Sequence, residues 1–294
     1  MINEAIANFK CEHSNMLNQK VCVIGDNSVD IYPKSGKSYV GGNGINIAIA
    51  LKRNGIDAGY VGVIGNDEEG ELVIAALEKE DIDCSRVAKL NKKTAWTKIK
   101  LNKGNRVFVD ESLGVQHKFD LFEEDYVYLR NFAWAHHTIF SNWPTAVSGG
   151  IESYYEKVEN QIQRLHRNQV RVSVDFSEQF DRKLLTSLKN RVDLGFFSRP
   201  ELSRSELKEE FEKLYGYGFS VIVITMGARG SASFAGRDII TQPAIPTKVV
   251  DSLGVGDAFI GAFLSQWVRE KTIKVTLEFA ANYAANTCLI NGAF

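Results

Sequence analysis

The chain has 294 residues, 44% of them apolar, enough to bury one large core or two small ones and too many for a disordered polypeptide. Its 35 basic and 36 acidic residues leave a formal net charge of −1, so no global field draws it to nucleic acid or to an anionic membrane, and any ligand must be gripped locally. Cys11, Cys22, Cys84 and Cys288 show no CxxC spacing and no run of about 18 apolar residues exists, which points to a reducing cytoplasm and argues against zinc clusters, disulfide scaffolds and membrane spans.

Residues 1–19 carry Glu4, Lys10, Glu12 and His13 and read as a polar extension, leaving 20–294 for the folded body. Runs rich in Val and Ile at 21–24, 60–64, 133–139, 170–174, 195–197 and 221–225 predict strands buried on both faces. Between them, 43–54, 68–80, 151–168, 203–215, 255–270 and 274–289 carry helical period. This alternation predicts an α/β fold of βαβ units around a mostly parallel sheet. Two stretches break it. Residues 32–40 and 92–118 alternate polar and apolar, as in Thr97, Lys98, Ile99, Lys100 and Leu101, and Lys103, Gly104 and Asn105 supply a turn before Arg106, Val107 and Phe108. They predict a small antiparallel sheet that serves as a lid, with no second independent domain.

Polar residues cluster where these elements end. The first strand runs into Gly25, Asp26, Asn27, Ser28, Val29 and Asp30, at the end where open α/β sheets bind ligands; Asp26 and Asp30 are suited either to sugar hydroxyls or to turn and cap roles. Gly41, Gly42, Asn43, Gly44, Ile45 and Asn46 open a helix whose small residues admit a ligand to the backbone and whose amides suit hydroxyls. A dinucleotide fingerprint is excluded by Ile47 at its third glycine, and a Walker A loop by Ile31 at its first. Thr225, Met226, Gly227, Ala228, Arg229 and Gly230 form a turn fit for nucleotide phosphate or for a tight connection. His136 and His137 follow a strand and suit a pocket wall or a structural role equally; the five histidines offer no metal spacing.

The strongest signal is the passage from a strand-like approach at 247–250 through Asp251, Ser252, Leu253, Gly254, Val255, Gly256 and Asp257 into a helix. Glycines just before a helix start let the N–H groups of residues 254–257 converge, and the helix dipole adds positive charge there, so an anion hole is expected. Asp257 beside it either complements the dipole or acts as a general base that takes a hydroxyl proton. Helix-end donors are expected to keep it ionised and weakly basic.

Together these segments resemble the ribokinase-like (PfkB) sugar kinases. One family signature matches residues 41–65 with Asn46, Ala48, Gly55 and Gly65 in place, and the other matches 251–264 with Gly254, Gly256, Asp257, Gly261 and Ala262, Val255 replacing the usual Ala. The resemblance spans roughly residues 20–294. It implies a three-layer αβα sandwich with an antiparallel lid, an ATP-dependent kinase, Asp257 as catalytic base, and the amides of Gly254, Val255 and Gly256 with Asp257 as anion hole. It further implies Asp30, Gly41, Gly42, Asn43 and Asn46 as sugar ligands beside Asp26, and Thr225, Gly227 and Gly230 at the ATP site. The family's Asn-x-x-Glu motif, which orders magnesium and its water, stands here as Ser198, Arg199, Pro200 and Glu201: the Glu is kept, the Asn is not, and Arg199 becomes a candidate for phosphate.

Residues 24–33, the Asn105, Arg106, Val107, Phe108 run, the Val174, Asp175, Phe176, Ser177 run and the ending Gly292, Ala293, Phe294 resemble the family members that act on fructosamines. The acceptor implied is the 6-hydroxyl of fructoselysine or a similar adduct. Arg106 is then expected at the sugar or a carboxylate, Asp110 or Glu111 at an ammonium, and Trp96, Ile99 and Phe108 over the sugar. ATP and Mg²⁺ follow as cofactors, with potassium open, and a homodimer is expected through the lid's exposed face. Two rivals remain: a kinase of another sugar or a nucleoside, such as fructose or ribose, and a non-catalytic sugar-binding regulator on the same fold.

Overall fold

In the computed structural model, which describes residues 19–102, 105–139, 150–178, 181–290 and 292–294, the Val- and Ile-rich runs form the middle of a nine-stranded sheet. Numbered in chain order, its strands are β1 (Val21–Ile24), β4 (Ala58–Gly65), β5 (Asp83–Leu90), β8 (Trp134–Thr138), β9 (Arg171–Asp175), β10 (Leu194–Ser198), β11 (Val221–Thr225), β12 (Ser231–Phe234) and β13 (Ile239–Gln242). The order is β13-β12-β11-β10-β9-β8-β1-β4-β5, parallel from β11 to β5, with β12 and β13 antiparallel at one edge.

The central strands are apolar throughout because helices cover both faces. Side chains alternate along a strand, so Val21 and Val23 of β1 enter one core cluster while Cys22 and Ile24 enter the other. The first cluster is sealed by α1 (Asn43–Arg53), α2 (Glu68–Lys79), α7 (Val255–Trp267) and α8 (Ile273–Thr287), through Ile45, Val73, Phe259 and Leu277. The second is sealed by α3 (Glu123–Leu129), α4 (Gly150–Arg167), α5 (Arg182–Ser187) and α6 (Leu207–Tyr215), through Tyr126, Val158, Leu184 and Phe211. Two helix layers on one sheet make the expected αβα sandwich.

Four further strands form the small sheet, in the order β3-β2-β6-β7: β2 (Ser28–Tyr32), β3 (Lys37–Gly41), β6 (Trp96–Asn102) and β7 (Asn105–Ser112). Two antiparallel hairpins, β2/β3 and β6/β7, are joined side by side by the parallel pairing of β2 with β6. The first hairpin begins four residues before the expected boundary at 32.

Differences from expectation lie at the periphery. β5, β12, β13, α3 and α5 have no counterpart in the apolar runs; β5 is an edge strand with alternating half-exposed positions, so it lacks a continuous apolar signature. Residues 247–250 form no strand, and α6 starts at Leu207 because 203–206 are turn and coil. The extension expected at 1–19 lies outside the described residues except for Gln19. Among the described residues no helix is long and apolar enough to cross a membrane.

Candidate active site

From β1 the chain moves to β4 and β5 on one side and later to β8, β9, β10 and β11 on the other, so the sheet's topological switch point lies between β1 and β8. Ligands of open α/β sheets sit in the crevice outside the carboxyl ends of such strands. Asp26 follows β1, Thr138 ends β8, and Asp175 ends β9 in register with Thr138.

Gly254 caps α7 in the left-handed conformation, φ 68°, which L side chains rarely adopt, and a Cβ there would meet the Ala293 methyl at 2.4 Å. Val255, Gly256 and Asp257 form the first turn, and the Ala258 N–H is the first to bond back, to the Gly254 carbonyl at 2.8 Å. Their N–H groups therefore have no intrahelical acceptor. Around Gly256 the space is open: a Cβ would meet nothing within 4 Å. A turn of free donors at the positive end of a helix, open to an incoming group, has the form of the expected anion hole.

Asp257 lies in that turn, 8% exposed, and its Oδ2 accepts a hydrogen bond from Asn46 Nδ2 at 2.7 Å. The contact needs α1 and α7 to lie very close. Gly261 permits it, since a Cβ there would stand 2.5 Å from the Ala50 methyl and 2.9 Å from the Ile47 carbonyl oxygen. Asn46 Oδ1 is buried with no hydrogen-bond partner, an acceptor waiting for a donor in the crevice. Burial raises the Asp257 carboxyl to about 8, reinforced by the negative charges of Asp175 and Asp26 and opposed by the Asn46 amide. The expectation of a weak, readily ionised base is corrected: desolvation outweighs the helix-end donors and makes the group far more basic than an ordinary carboxylate.

Asp26 turns both oxygens to the start of α1. Oδ2 accepts from the Asn43 N–H and Oδ1 from the Gly44 N–H, each at 2.9 Å, and the Thr138 hydroxyl donates to Oδ1 at 3.2 Å. The N-cap residue Gly42 has no side chain for capping, so the strand-end carboxylate does it instead. In this structure Asp26 holds Asn43 and Asn46 in place rather than facing outward with its oxygens free. Asp30 is also buried, packed over Gly41, with the Ser28 hydroxyl 3.4 Å from its Oδ1. Its cross-strand partner Tyr39 lies near Gly292, with Cδ1 3.9 Å from where a Cβ on that glycine would stand, and the Gly292 N–H bonds the Asp251 carboxylate just before the anion turn. The face of the small sheet that carries Asp30 thus looks toward that turn. Arg106 stands in β7 opposite Leu101; its side chain and that of Phe108 lie outside the described residues.

The residues expected at the nucleotide end are brought side by side by register: Ser198 ends β10 opposite Thr225, which ends β11. Gly227 opens a 3-10 turn capped by Gly230, and the Arg199 N–H bonds the Thr225 carbonyl at 2.7 Å. The Arg199 side chain is engaged elsewhere, with Nε on Glu210 at 3.2 Å and Nη1 on the Glu178 carbonyl at 2.8 Å, so it does not stand free for phosphate. His136 and His137 are wholly internal; His136 Nδ1 meets the Ser173 hydroxyl and His137 Nε2 the Gln161 amide oxygen, each at 2.9 Å. Burial holds both imidazoles below their usual range, His136 at about 3, which fits the structural role.

Magnesium takes oxygen donors, keeps several waters and binds one or two carboxylates together with the phosphates it accompanies. Among the described residues no three His, Cys, Asp or Glu side chains are grouped to hold a metal ion. Glu201, exposed in the turn after β10, and Asp175 are the carboxylates available. Sequence reasoning gives Asp175 no role beyond its place in the run at 174–177. Burial raises its carboxyl to about 6, against the Ser177 N–H bond at 2.8 Å, and Asp26 adds to the rise. The signal that reveals it is the one that revealed Asp26: a carboxylate just at the end of an apolar parallel strand.

The sequence profile described as pfkB family carbohydrate kinase matches residues 16–293. The chain is 30% identical over 274 residues to the fructoselysine 6-kinase of Escherichia coli (strain K12), covering 93% of this chain and 99% of that one. It is 32% identical over 278 residues to the fructosamine kinase FrlD of Bacillus subtilis (strain 168), covering 94% and 93%. Among solved structures, a putative ribokinase II from E. coli in complex with ATP and Mg²⁺ superposes with a TM-score of 0.80 at 18% identity, over 94% of each chain.

Proposed function

The chain belongs to the pfkB family of carbohydrate kinases and is an ATP-dependent sugar kinase; from that premise we propose that its acceptor is the 6-hydroxyl of fructoselysine or a closely related fructosamine. The observation that carries the reading is the Asn46–Asp257 pair at the start of α7, set beside free main-chain donors. The near full-length similarity to a fructoselysine 6-kinase and a fructosamine kinase supports the choice of acceptor.

In this reading Asp257 takes the proton from the attacking hydroxyl, and its raised basicity suits the task, because a base works best when its pKa lies near the operating pH. The N–H groups of Gly254, Val255, Gly256 and Asp257 receive the charge that spreads over the transferring phosphoryl oxygens. Asn46 Oδ1, Asn43, Asp30 and the backbone at Gly41 and Gly42 hold sugar hydroxyls, Arg106 of β7 is a further sugar ligand, and Asp26 keeps the first turn of α1 in register. Thr225, Gly227, Gly230 and Ser198 hold the nucleotide. Glu201, through water, and Asp175 would hold the magnesium that accompanies ATP, which would supply neutralisation of the β- and γ-phosphate charge. The lid excludes water that would otherwise receive the phosphate.

A reducing cytoplasm suits the same reading, since Cys22, Cys84 and Cys288 are free thiols. A homodimer through the exposed face of the lid belongs to the proposal too; Val109, 45% exposed, gives the lid an uncovered apolar side chain, and sedimentation of a Val109→Glu variant tests it.

The deciding assay measures ADP release from ATP with fructoselysine, other fructosamines, fructose, tagatose 6-phosphate, ribose and nucleosides. Fructosamines are expected to give the highest kcat/KM. Equal or better turnover of ribose or adenosine defeats the substrate, and sugar-independent ADP release defeats the kinase. Repeating it in potassium and in sodium decides whether a monovalent cation takes part.

A further inference from the structure

The lid presents two acidic residues side by side on β7, Asp110 and Glu111, and the strand register sends them to opposite faces. Residues paired across strands share a face. One row runs Ser38, Ile31, Lys98, Asp110. On this face Lys98 closes an ion pair with Asp110 at 2.9 Å and lies over the Trp96 ring at 4.6 Å, so the Asp110 carboxylate is already engaged. The next row runs Tyr39, Asp30, Thr97, Glu111, across all four strands. On this face Tyr39 Cδ1 lies 3.9 Å from the position a Cβ on Gly292 would take, and the Gly292 N–H bonds Asp251 just before the anion turn. Glu111 is exposed there, and among the described residues its carboxylate makes no ion pair or hydrogen bond.

Two strand spacings separate Asp30 from Glu111, about 10 Å, with only Thr97 between. A fructosamine lying under the lid has its reacting 6-hydroxyl at one end of the sugar and, on carbon 1 at the other, a protonated secondary amine that fructose lacks. We propose that Glu111 is a specificity-determining residue that recognises this ammonium by a charge-assisted hydrogen bond, so that the lid selects cationic aminoketoses over neutral sugars. The assignment rests on the fructosamine reading above and adds to it which lid carboxylate does the selecting. Neutral ketoses leave Glu111 without a partner as the lid closes over it, which penalises them as well as favouring the amine.

The test uses the full chain with three acceptors: fructoselysine, 1-deoxy-1-butylamino-fructose, which has the amine but no amino-acid carboxylate, and fructose. The quantity read is the ratio of kcat/KM for each amine to that for fructose. Glu111→Gln is expected to lower both ratios roughly ten- to a hundredfold, mostly through KM, with Glu111→Asp keeping part of the preference and Asp110→Asn keeping all of it. Ratios unchanged in Glu111→Gln, or reduced as much by Asp110→Asn, overturn the assignment. A wild-type enzyme that prefers fructose overturns the fructosamine reading itself, whereas a wild-type preference that survives Glu111→Gln removes Glu111 alone. Thermal unfolding of each variant separates a folding defect from a change in selection.

Discussion

Asn46 Nδ2 and Asp257 Oδ2 meet at 2.7 Å although 211 residues of chain separate them. The bond joins the first turns of two helices, α1 and α7, which lie so close at Gly261 that a Cβ there would meet the Ala50 methyl. It assigns one proton: the amide donates, so the carboxylate must accept.

Asp257→Asn removes the acceptor for the hydroxyl proton and leaves the main-chain donors in place. We expect kcat to fall roughly 10²- to 10⁴-fold with the KM for ATP nearly kept. Steady-state kinetics at saturating sugar decide it, and a variant that retains most of its turnover removes Asp257 from the role of base.

Activity is expected to climb with pH through about 8, because the base must lose its proton before it can take another and burial raises its carboxyl to that value. Asn46→Ala takes away the hydrogen bond that favours the ionised form, so its acid limb should move to higher pH. Linkage carries the same sign: the folded pKa lies above the unfolded value of 3.8, so the stabilising contribution is complete below the latter and is lost as pH rises through about 8. Melting temperatures of the wild type should fall from pH 6 to pH 9, and the Asp257→Asn variant should show a shallower fall.

Replacing Asp26 by Ala strands the Asn43 and Gly44 N–H groups that it caps. Loss of such a cap costs about 1–2 kcal/mol of stability, readable in urea unfolding. Because Asn46 rides on the same helix, the sugar KM should rise more than the KM for ATP. A loss of stability with both KM values unchanged shows that α1 keeps its place without the cap.

At Gly261 the two helices leave no room for a side chain. Gly261→Val must push α1 off α7, and we expect a destabilisation of about 1–3 kcal/mol together with a drop in kcat, since the Asn46–Asp257 bond is the first contact to open. Calorimetry and kinetics on the same sample test whether the two losses travel together.

Sequence reasoning reaches the parallel core because strands buried on both faces must be apolar, and it reaches Asp257 and Asn46 because glycines and amides mark places where a ligand touches backbone. It does not reach β5, an edge strand whose alternating exposure dilutes its pattern, or α5, a six-residue helix too short to show a period. Asp26 and Arg199 show the limit at the site: their types and positions suit ligands, yet their actual partners, the α1 N–H groups and Glu210, are set by packing between segments far apart in the chain. The basicity of Asp257 was equally illegible, because it depends on how completely three strand-end and helix-end carboxylates are shielded from water.

One residue, Gly42, separates β3 from α1, and the Asp26 cap fastens the far side of that joint to the main sheet. The small sheet therefore hangs from an anchored frame, joined to the helix that carries Asn46 through a single residue whose far side is capped from the main sheet. Choosing the guest and performing the transfer become separable tasks, and exchanging β6 and β7 for those of another lid should retune one without retraining the other.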